Sequence, residues 1–152
     1  STADMPDTSE GKKPLLRFLG FDFGEKRIGV ATGQKTLGTT QALCVLKAEN
    51  NQPNWDSVEA LIKEWQVDAI VVGLPLNMDG TEQPVTLMAK KFANRLHGRF
   101  GLPTFTHDER LSTAEVREYL FELGGYKKIK DSDFDAYAAE LILKSYFESS
   151  LS

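Results

Sequence analysis

The sequence predicts an α/β fold built on a mixed five-stranded sheet, an antiparallel meander followed by parallel strands, with helices on both faces. Three consecutive strand-like segments come first and favour the meander. Strand-like and helical segments then alternate, which is typical of parallel strands joined by helices. A length of 152 residues is enough for one domain with a substantial core. We therefore expect a disordered lead-in over residues 1–14 and a single domain over residues 15–149.

The first predicted strand, Leu15–Phe23, is apolar at most positions, as in a central strand that is buried on both faces. It carries one carboxylate, Asp22, and is followed by Gly24, which permits a tight turn or the close approach of a ligand. Arg27–Gly33 is the predicted hairpin partner, and Thr39–Lys47 is the predicted third strand. A polar loop then separates this meander from the rest of the chain.

Apolar periodicity and turn residues predict the elements after the meander. A capping box, in which Ser112 and Glu115 bond each other's backbone amides, predicts one helix start. The predicted elements are, in order, helix Trp55–Trp65, strand Asp68–Gly73, helix Pro84–Phe100, strand Leu102–Thr106, the helix opened by Ser112, and a last helix from about Asp131–Asp135 to about Phe147.

Composition and charge limit the classes of protein to which the chain can belong. No apolar run reaches the ~18 residues that a membrane helix needs, and no secretory signal is visible near the start. The single cysteine, Cys44, rules out an internal disulfide, argues against a thiolate zinc site, and lies in a setting that predicts a small core residue. The net charge of −4 is unusual for a nucleic-acid binder, but phosphate binding depends on where the basic residues lie. We expect a cytoplasmic protein without a membrane partner.

Three acidic residues fall where the predicted topology can bring them together. Asp22 ends the first strand, Glu109 follows the last strand, and Asp135 lies in the first turn of the last helix. Ligands of such sheets gather at the carboxyl ends of the parallel strands. Clustered carboxylates repel one another unless a cation joins them, and oxygen ligands suit Mg²⁺ or Mn²⁺. Two such ions activate water against a phosphodiester, so we expect these three residues to be both metal ligands and catalytic.

Each of these acids also has a simpler structural explanation. Asp22 can bond a turn at the end of its strand. Glu109 can pair with Arg110 in a charged loop. Asp135 can serve as the acid of a capping box begun by Ser132, since acids favour helix starts.

Basic residues offer two candidate contacts with a phosphate backbone. Lys91, Arg95 and Arg99 are spaced by four and so lie in one row on the helix Pro84–Phe100. A solvated helix face explains that row equally well. The remaining candidates for nucleic-acid binding follow the last strand: Arg110 to stabilise charge on the scissile phosphate, Ser112 with the amides of its helix start to bind a phosphate oxygen, and the loop lysines Lys127 and Lys128.

Four segments together resemble the YqgF/RuvX family, and the resemblance extends from about Leu16 to about Phe147. Singly these motifs are short, but their presence in this order is specific. The segments are Phe21-Asp22-Phe23-Gly24, Val72-Gly73-Leu74-Pro75-Leu76-Asn77-Met78-Asp79-Gly80, Asp108-Glu109-Arg110-Leu111-Ser112-Thr113, and Asp135 with Ala138-Ala139 behind it.

The resemblance implies a ribonuclease H-like fold and a nuclease. Members of this bacterial family are described as Holliday junction resolvases and as nucleases that process pre-16S rRNA. The metal-binding acids of the family correspond to Asp22, Glu109 and Asp135. The chain departs from the family where Val-Asp-Ser is replaced by Phe134-Asp135-Ala136, and where Asp133 replaces a lysine.

Two further assignments stay open at this point. A fourth carboxylate is common in enzymes of this fold, and Asp108 and Glu140 are the candidates. His107 lies beside the predicted site, either as a metal ligand or proton shuttle, or as a loop residue that bonds the backbone.

We therefore expect a hydrolase of phosphodiester bonds that uses two Mg²⁺ or Mn²⁺ ions to process the 5′ end of pre-16S rRNA. It would associate with the ribosome and act as a monomer or a homodimer. One alternative is a Holliday junction resolvase that acts on branched DNA in recombination and repair. Another is a non-catalytic nucleic-acid-binding module of the same fold. A third is an ATP-binding protein, because residues 22–26 also resemble the phosphate loop of the actin and sugar-kinase superfamily.

Overall fold

The computed structural model describes residues 14–76, 79–109 and 134–150, with Glu109 and Ser150 described by their backbone alone. Residues 1–13 of the expected lead-in and the helix opened by Ser112 lie outside this part of the chain. Within it, the elements follow the predicted order. They are β1 (Arg17–Phe23), β2 (Arg27–Gln34), β3 (Thr39–Lys47), α1 (Trp55–Glu64), β4 (Ala69–Pro75), α2 (Pro84–Phe100), β5 (Thr104–Glu109) and α3 (Phe134–Ser150).

The five strands form one mixed sheet in the order β3-β2-β1-β4-β5. The pairs β1–β2 and β2–β3 are antiparallel, whereas β1–β4 and β4–β5 are parallel. The predicted meander followed by parallel strands is therefore confirmed, including the third strand. Because β1, β4 and β5 run in one direction, their carboxyl ends share one edge of the sheet.

One face of the sheet is covered by α1 and α2. Phe21 and Phe23 point to this side, where their rings lie 5.3 and 5.2 Å from the ring of Phe92 on α2. Trp55 of α1 stacks on the same Phe92 ring at 5.9 Å. Alternate residues of each strand thus join the two helices in a single apolar core, and Cys44 packs at its margin, half-buried.

The opposite face is covered by α3, which contacts all five strands. Phe18 of β1 meets Phe147 of α3 edge to face at 5.3 Å, and Ile142 and Leu143 are fully buried beside them. A Cβ atom at Gly20 would lie 2.5 Å from Leu143, so this helix approaches the sheet closely. Helices on both faces are therefore confirmed.

Local sequence determines where the helices begin and end. The Asn54 side chain caps α1 by accepting a hydrogen bond from the Asp56 amide at 2.9 Å. Pro84 opens α2, and the Thr86 hydroxyl accepts from the Gln83 amide at 2.9 Å. At the other end, Gly101 takes a left-handed conformation with φ +67° and ends α2.

Strand β5 extends beyond its predicted end at Thr106. The sequence turns polar at His107, which suggested a loop, but backbone pairing with β4 continues to the pair formed by Pro75 and Glu109. A polar strand end is possible here because it lies at the carboxyl edge of the sheet, where the candidate acidic residues are found. Among the described residues, no helix combines the length and apolar character that crossing a membrane requires.

Candidate active site

Asp22 occupies the carboxyl edge of the sheet, on the face that α3 covers. In the sheet register it pairs with Gly29 on one side and with Gly73 on the other. A Cβ atom at Gly73 would lie 2.4 Å from Ile142 of α3. The row formed by Gly29, Asp22 and Gly73 therefore faces α3. Phe21, the neighbour of Asp22, points to the other face. The Asp22 side chain is thus half-buried beneath the start of α3.

Asp135 is brought to Asp22 by the glycine between them. A Cβ atom at Gly29 would lie 1.8 Å from the Asp135 carbonyl oxygen, so only glycine allows the first turn of α3 to rest on β2 here. Because Gly29 is also the register partner of Asp22, the two carboxylates stand over adjacent strands, whose paired Cα atoms are about 4.5–5.5 Å apart. The predicted position of Asp135 in the first turn of the last helix is confirmed.

The Asp135 carboxylate is held in a partly desolvated position. Its side chain is 22% exposed, and Arg27 places Nε 3.1 Å from Oδ2 as an ion pair. Oδ2 is nonetheless buried, and no donor in the described part of the chain is aligned on it for a hydrogen bond. Burial raises the pKa of Asp135, and the charge of Arg27 lowers it in part.

Glu109, the third predicted acid, ends β5 at the same edge. Its backbone pairs with Pro75, two positions beyond the pair formed by Gly73 and His107. The Glu109 side chain lies outside the described residues. Arg110, suggested above as its ion-pair partner, and Ser132, suggested as the start of a capping box with Asp135, also lie outside them. Among the side chains that are described, no three His, Cys, Asp or Glu lie close enough to share a metal ion.

The interpretation of His107 as a loop residue that bonds the backbone is wrong. His107 lies within β5 in the same row as Asp22, and its Nε2 is 2.9 Å from the Ser145 hydroxyl of α3. Burial lowers the pKa of His107, although the charge of Asp108 opposes this. The imidazole is therefore biased toward the neutral form, and one of the two groups donates to the other.

The two candidates for a fourth carboxylate lie away from the pair formed by Asp22 and Asp135. Glu140 is 7% exposed and accepts a hydrogen bond of 2.9 Å from the Thr40 hydroxyl of β3. Thr40 pairs with Gly33, four residues along β2 from Gly29, which corresponds to about 13 Å. Asp108 is exposed, at a position that alternates with His107.

The basic row lies on the layer opposite to the carboxylates. Lys91, Arg95 and Arg99 are exposed on α2, whereas Asp22 faces α3. Arg99 stacks its guanidinium over the Trp55 ring at 4.3 Å from the ring centroid. The other candidates for nucleic-acid binding, Arg110, Ser112, Lys127 and Lys128, lie outside the described residues.

Sequence reasoning gave no role to Arg27, which the structure places at the candidate site. Its position in the sequence could have indicated this, because it begins the strand antiparallel to β1 and precedes Gly29 by two residues. Residues two apart on a strand lie on the same face, so Arg27 shares the face of Gly29. Gly29 was likewise treated only as part of a hairpin strand, although it fixes the approach of α3.

The mixed five-stranded sheet with helices on both faces is the ribonuclease H-like fold. Two solved structures share the fold. The Thermus thermophilus RuvC in complex with a Holliday junction substrate matches with a TM-score of 0.55 and 15% identity, over 90% of this chain and 96% of that chain. The fowlpox virus Holliday junction resolvase matches with a TM-score of 0.51 and 13% identity, over 88% of this chain and 99% of that chain.

The chain belongs to the RuvX family, described as Holliday junction resolvase, whose model matches residues 16–149. Relatives named "Putative pre-16S rRNA nuclease" include a Klebsiella pneumoniae protein, 56% identical over 88% of this chain and 96% of its own length. A Shewanella denitrificans relative of the same name is 59% identical over 86% of this chain and 93% of its own length. The protein is therefore a nuclease, a hydrolase of phosphodiester bonds, which favours this interpretation over an ATP-binding one.

Proposed function

We propose that this nuclease processes the 5′ end of precursor 16S rRNA in the cytoplasm, with Asp22, Asp135 and Glu109 as ligands for two Mg²⁺ or Mn²⁺ ions. The observation that carries the proposal is the contact of Asp135 with Gly29, which brings two carboxylates to one face at the carboxyl edge. That edge is where α/β sheets of this kind bind their ligands.

The chemistry of the donor set fits a hard divalent cation. A buried carboxylate oxygen without an aligned donor, as at Asp135 Oδ2, is costly unless a cation meets it. Arg27 forms an ion pair with Asp135, and carboxylates gathered on one face repel one another unless a cation joins them. When bound, Mg²⁺ or Mn²⁺ supplies an activated water and stabilises the leaving oxygen of the phosphodiester.

The remaining residues position the substrate. Arg110 and the helix start at Ser112 follow β5 directly in the sequence and would meet the scissile phosphate at the same edge. Lys127 and Lys128 would bind the flanking backbone. Lys91, Arg95 and Arg99 lie on the other layer, so an RNA that reaches them passes over the carboxyl edge of the sheet.

The names of the relatives support ribosomal RNA as the substrate, because their identity to this chain extends over almost the whole domain. A substrate of this kind implies that the protein acts in association with the maturing ribosome. The description of the family model favours a second candidate, a four-way DNA junction. A junction has two equivalent cleavage positions, so this alternative requires a homodimer, whereas the RNA substrate is compatible with a monomer.

Cleavage of two labelled substrates, a precursor 16S 5′ segment and a four-way DNA junction, tests the proposal. Wild type, Asp22→Asn and the matched control Asp56→Asn, an exposed acid of α1, are each assayed with Mg²⁺, Mn²⁺ or EDTA. We expect metal-dependent cleavage of the RNA by wild type and by Asp56→Asn, and none by Asp22→Asn. Circular dichroism should show that all three proteins are equally folded.

The outcomes separate the parts of the proposal. Cleavage of the junction but not of the RNA would replace the substrate and leave the metal site standing. Equal cleavage by Asp22→Asn and wild type would remove Asp22 from the mechanism. Cleavage that persists in EDTA would remove the metal.

A further inference from the structure

We propose that Arg27 holds the Asp135 carboxylate in place before the metal binds, then gives way to the metal and moves its guanidinium to a phosphate of the nucleic acid. Arg27 is in this sense a positioning residue that competes with the metal for Asp135. The inference rests on the proposed metal-dependent function, and it adds a residue to which neither the sequence motifs nor the family comparison gave a role.

The geometry of the ion pair between Arg27 and Asp135 allows a metal ion to replace Arg27. Arg27 Nε lies 3.1 Å from Asp135 Oδ2, yet the contact lacks the alignment of a hydrogen bond. The two partners differ in exposure, since the Arg27 side chain is 60% exposed and that of Asp135 is 22% exposed. An exposed ion pair of this kind contributes little to stability. The backbone of Asp135 is therefore fixed by α3 and its carboxylate is held by Arg27, whose guanidinium has open solvent into which it can move.

The location of Arg27 puts its charge where a divalent cation would bind. Asp22 pairs with Gly29, and Arg27 stands two residues from Gly29 on the same face. Such diagonal neighbours are about 7–8 Å apart, within reach of a long side chain. Arg27 therefore offsets the repulsion between Asp22 and Asp135, and a divalent ion at the same place must displace it or be repelled by it.

The displaced Arg27 guanidinium lies where it can bind a phosphate of the nucleic acid. Arg27 opens β2 at the carboxyl edge, where a scissile phosphate would lie next to the carboxylates. Guanidinium groups bind phosphate oxygens in a bidentate manner, which an exposed arginine achieves without rearranging the backbone. In this exchange the arginine offsets carboxylate charge when the site is empty and phosphate charge when the site is loaded.

Competition with the metal and attraction to the phosphate predict opposite effects of one substitution. Arg27→Gln should tighten Mn²⁺ binding by about two- to five-fold, the range expected for a half-exposed charge pair. The same change should weaken binding of labelled precursor 16S RNA and lower the slope of log affinity against log salt by about one. A merely structural role for Arg27 moves the two affinities in the same direction or not at all.

The experiment is a Mn²⁺ titration of the full chain, followed by paramagnetic resonance of the free ion, without nucleic acid. Wild type, Arg27→Gln and Asp135→Asn are compared with Arg17→Gln, which removes the same charge at the start of β1, the far end of the sheet. RNA affinity is measured on the same proteins at several salt concentrations with the site loaded with Ca²⁺, another divalent cation that takes oxygen ligands, and in EDTA as the reference for the empty site. The loss of affinity in Arg27→Gln should appear with the ion bound and be small in EDTA. Arg17→Gln should leave Mn²⁺ binding unchanged.

Each outcome distinguishes this inference from the function on which it rests. Mn²⁺ binding that is lost in Asp135→Asn but unchanged or weaker in Arg27→Gln would overturn the competition. Tighter Mn²⁺ binding with unchanged RNA affinity would overturn the transfer to phosphate. If Asp135→Asn binds Mn²⁺ as well as wild type does, the proposed metal site fails, and the inference fails with it.

Discussion

The backbone of Asp135 rests directly on Gly29, where a Cβ atom would lie 1.8 Å from the Asp135 carbonyl oxygen. This is a contact between two backbones, so no side-chain rotation can relieve it. Gly29 is at the same time the register partner of Asp22. The approach of the Asp135 backbone to the strand that pairs with Asp22 is therefore set by the absence of a side chain on β2.

We predict that Gly29→Ala abolishes nuclease activity and destabilises the protein. The added methyl group forces the first turn of α3 away from β2 and moves Asp135 away from Asp22. Overpacking of this kind typically costs about 1–3 kcal/mol, and the loss of activity should exceed what partial unfolding explains. Urea unfolding and cleavage by the folded fraction measure the two effects separately.

Gly98→Ala is the matched control for this substitution. Gly98 lies within α2, and nothing is found within 4 Å of a Cβ atom placed there. Alanine is a better helix former than glycine by about 1 kcal/mol, so Gly98→Ala should stabilise the protein and keep its activity. If both variants behave alike, close packing at Gly29 is not what positions Asp135.

The fold was predictable because its elements obey simple periodicities. Alternation and apolar runs located the strands, and the 3.6-residue spacing of Val58, Leu61 and Ile62 located α1. The end of β5 was missed because His107, Asp108 and Glu109 are polar, and pattern alone cannot tell a strand that ends in a site from a loop. Backbone pairing with β4 decides that question.

The candidate site was predictable only in part. Asp22 and Asp135 could be predicted as candidates because acids at a strand end and a helix start have recognisable positions, and the topology predicts that both lie at the carboxyl edge of the sheet. Arg27 and Gly29 were missed because their importance comes from contacts with α3, which lies more than 100 residues further along the chain. The side of the sheet on which α2 lies was also not readable from the spacing of Lys91 and Arg95.

The Thr86 hydroxyl supports the carboxyl edge from within α2. Thr86 is fully buried, accepts from the Gln83 amide and donates to the carbonyl oxygen of Pro75, the register partner of Glu109. We predict that Thr86→Val destabilises the protein by about 1–3 kcal/mol, since the partly buried amide of Gln83 and carbonyl of Pro75 both lose their bond to the hydroxyl. Chemical denaturation measures this, and Thr86→Ser should recover most of the loss. An unfolding free energy equal to that of wild type would contradict the network.

The basic row on α2 predicts a specific effect on nucleic-acid binding. Arg95 is exposed and lies on the layer opposite to Asp22. If RNA passes over the carboxyl edge, Arg95→Gln should weaken binding several-fold and lower the salt slope by about one. Lys63→Gln on α1, an exposed lysine on the same layer, is the control. Equal affinities for Arg95→Gln and wild type would confine the substrate to the face of α3 and make the row a solvated surface.

The raised pKa of Asp135 predicts how the stability of the protein changes with pH. Burial is the larger cause and Arg27 opposes it, so the folded state binds the Asp135 proton more tightly than the unfolded chain does. A group of this kind contributes stability that is fully present below its ordinary pKa of 3.8 and is lost as pH rises through the raised folded pKa. Asparagine at this position has no proton to lose.

Thermal unfolding of wild type and Asp135→Asn in EDTA, from pH 3.5 to pH 7, measures this effect. The melting temperature of wild type should fall relative to that of Asp135→Asn as pH rises, because the ionised carboxylate stays partly desolvated. Arg27→Gln should enlarge the fall, since it removes the charge that lowers the pKa. Addition of Mn²⁺ at pH 7 should raise the melting temperature of wild type and of Arg27→Gln but not that of Asp135→Asn, because a ligand stabilises only the state that binds it. A difference between wild type and Asp135→Asn that stays constant with pH would show that burial does not control this carboxylate, and that the site holds it by other contacts.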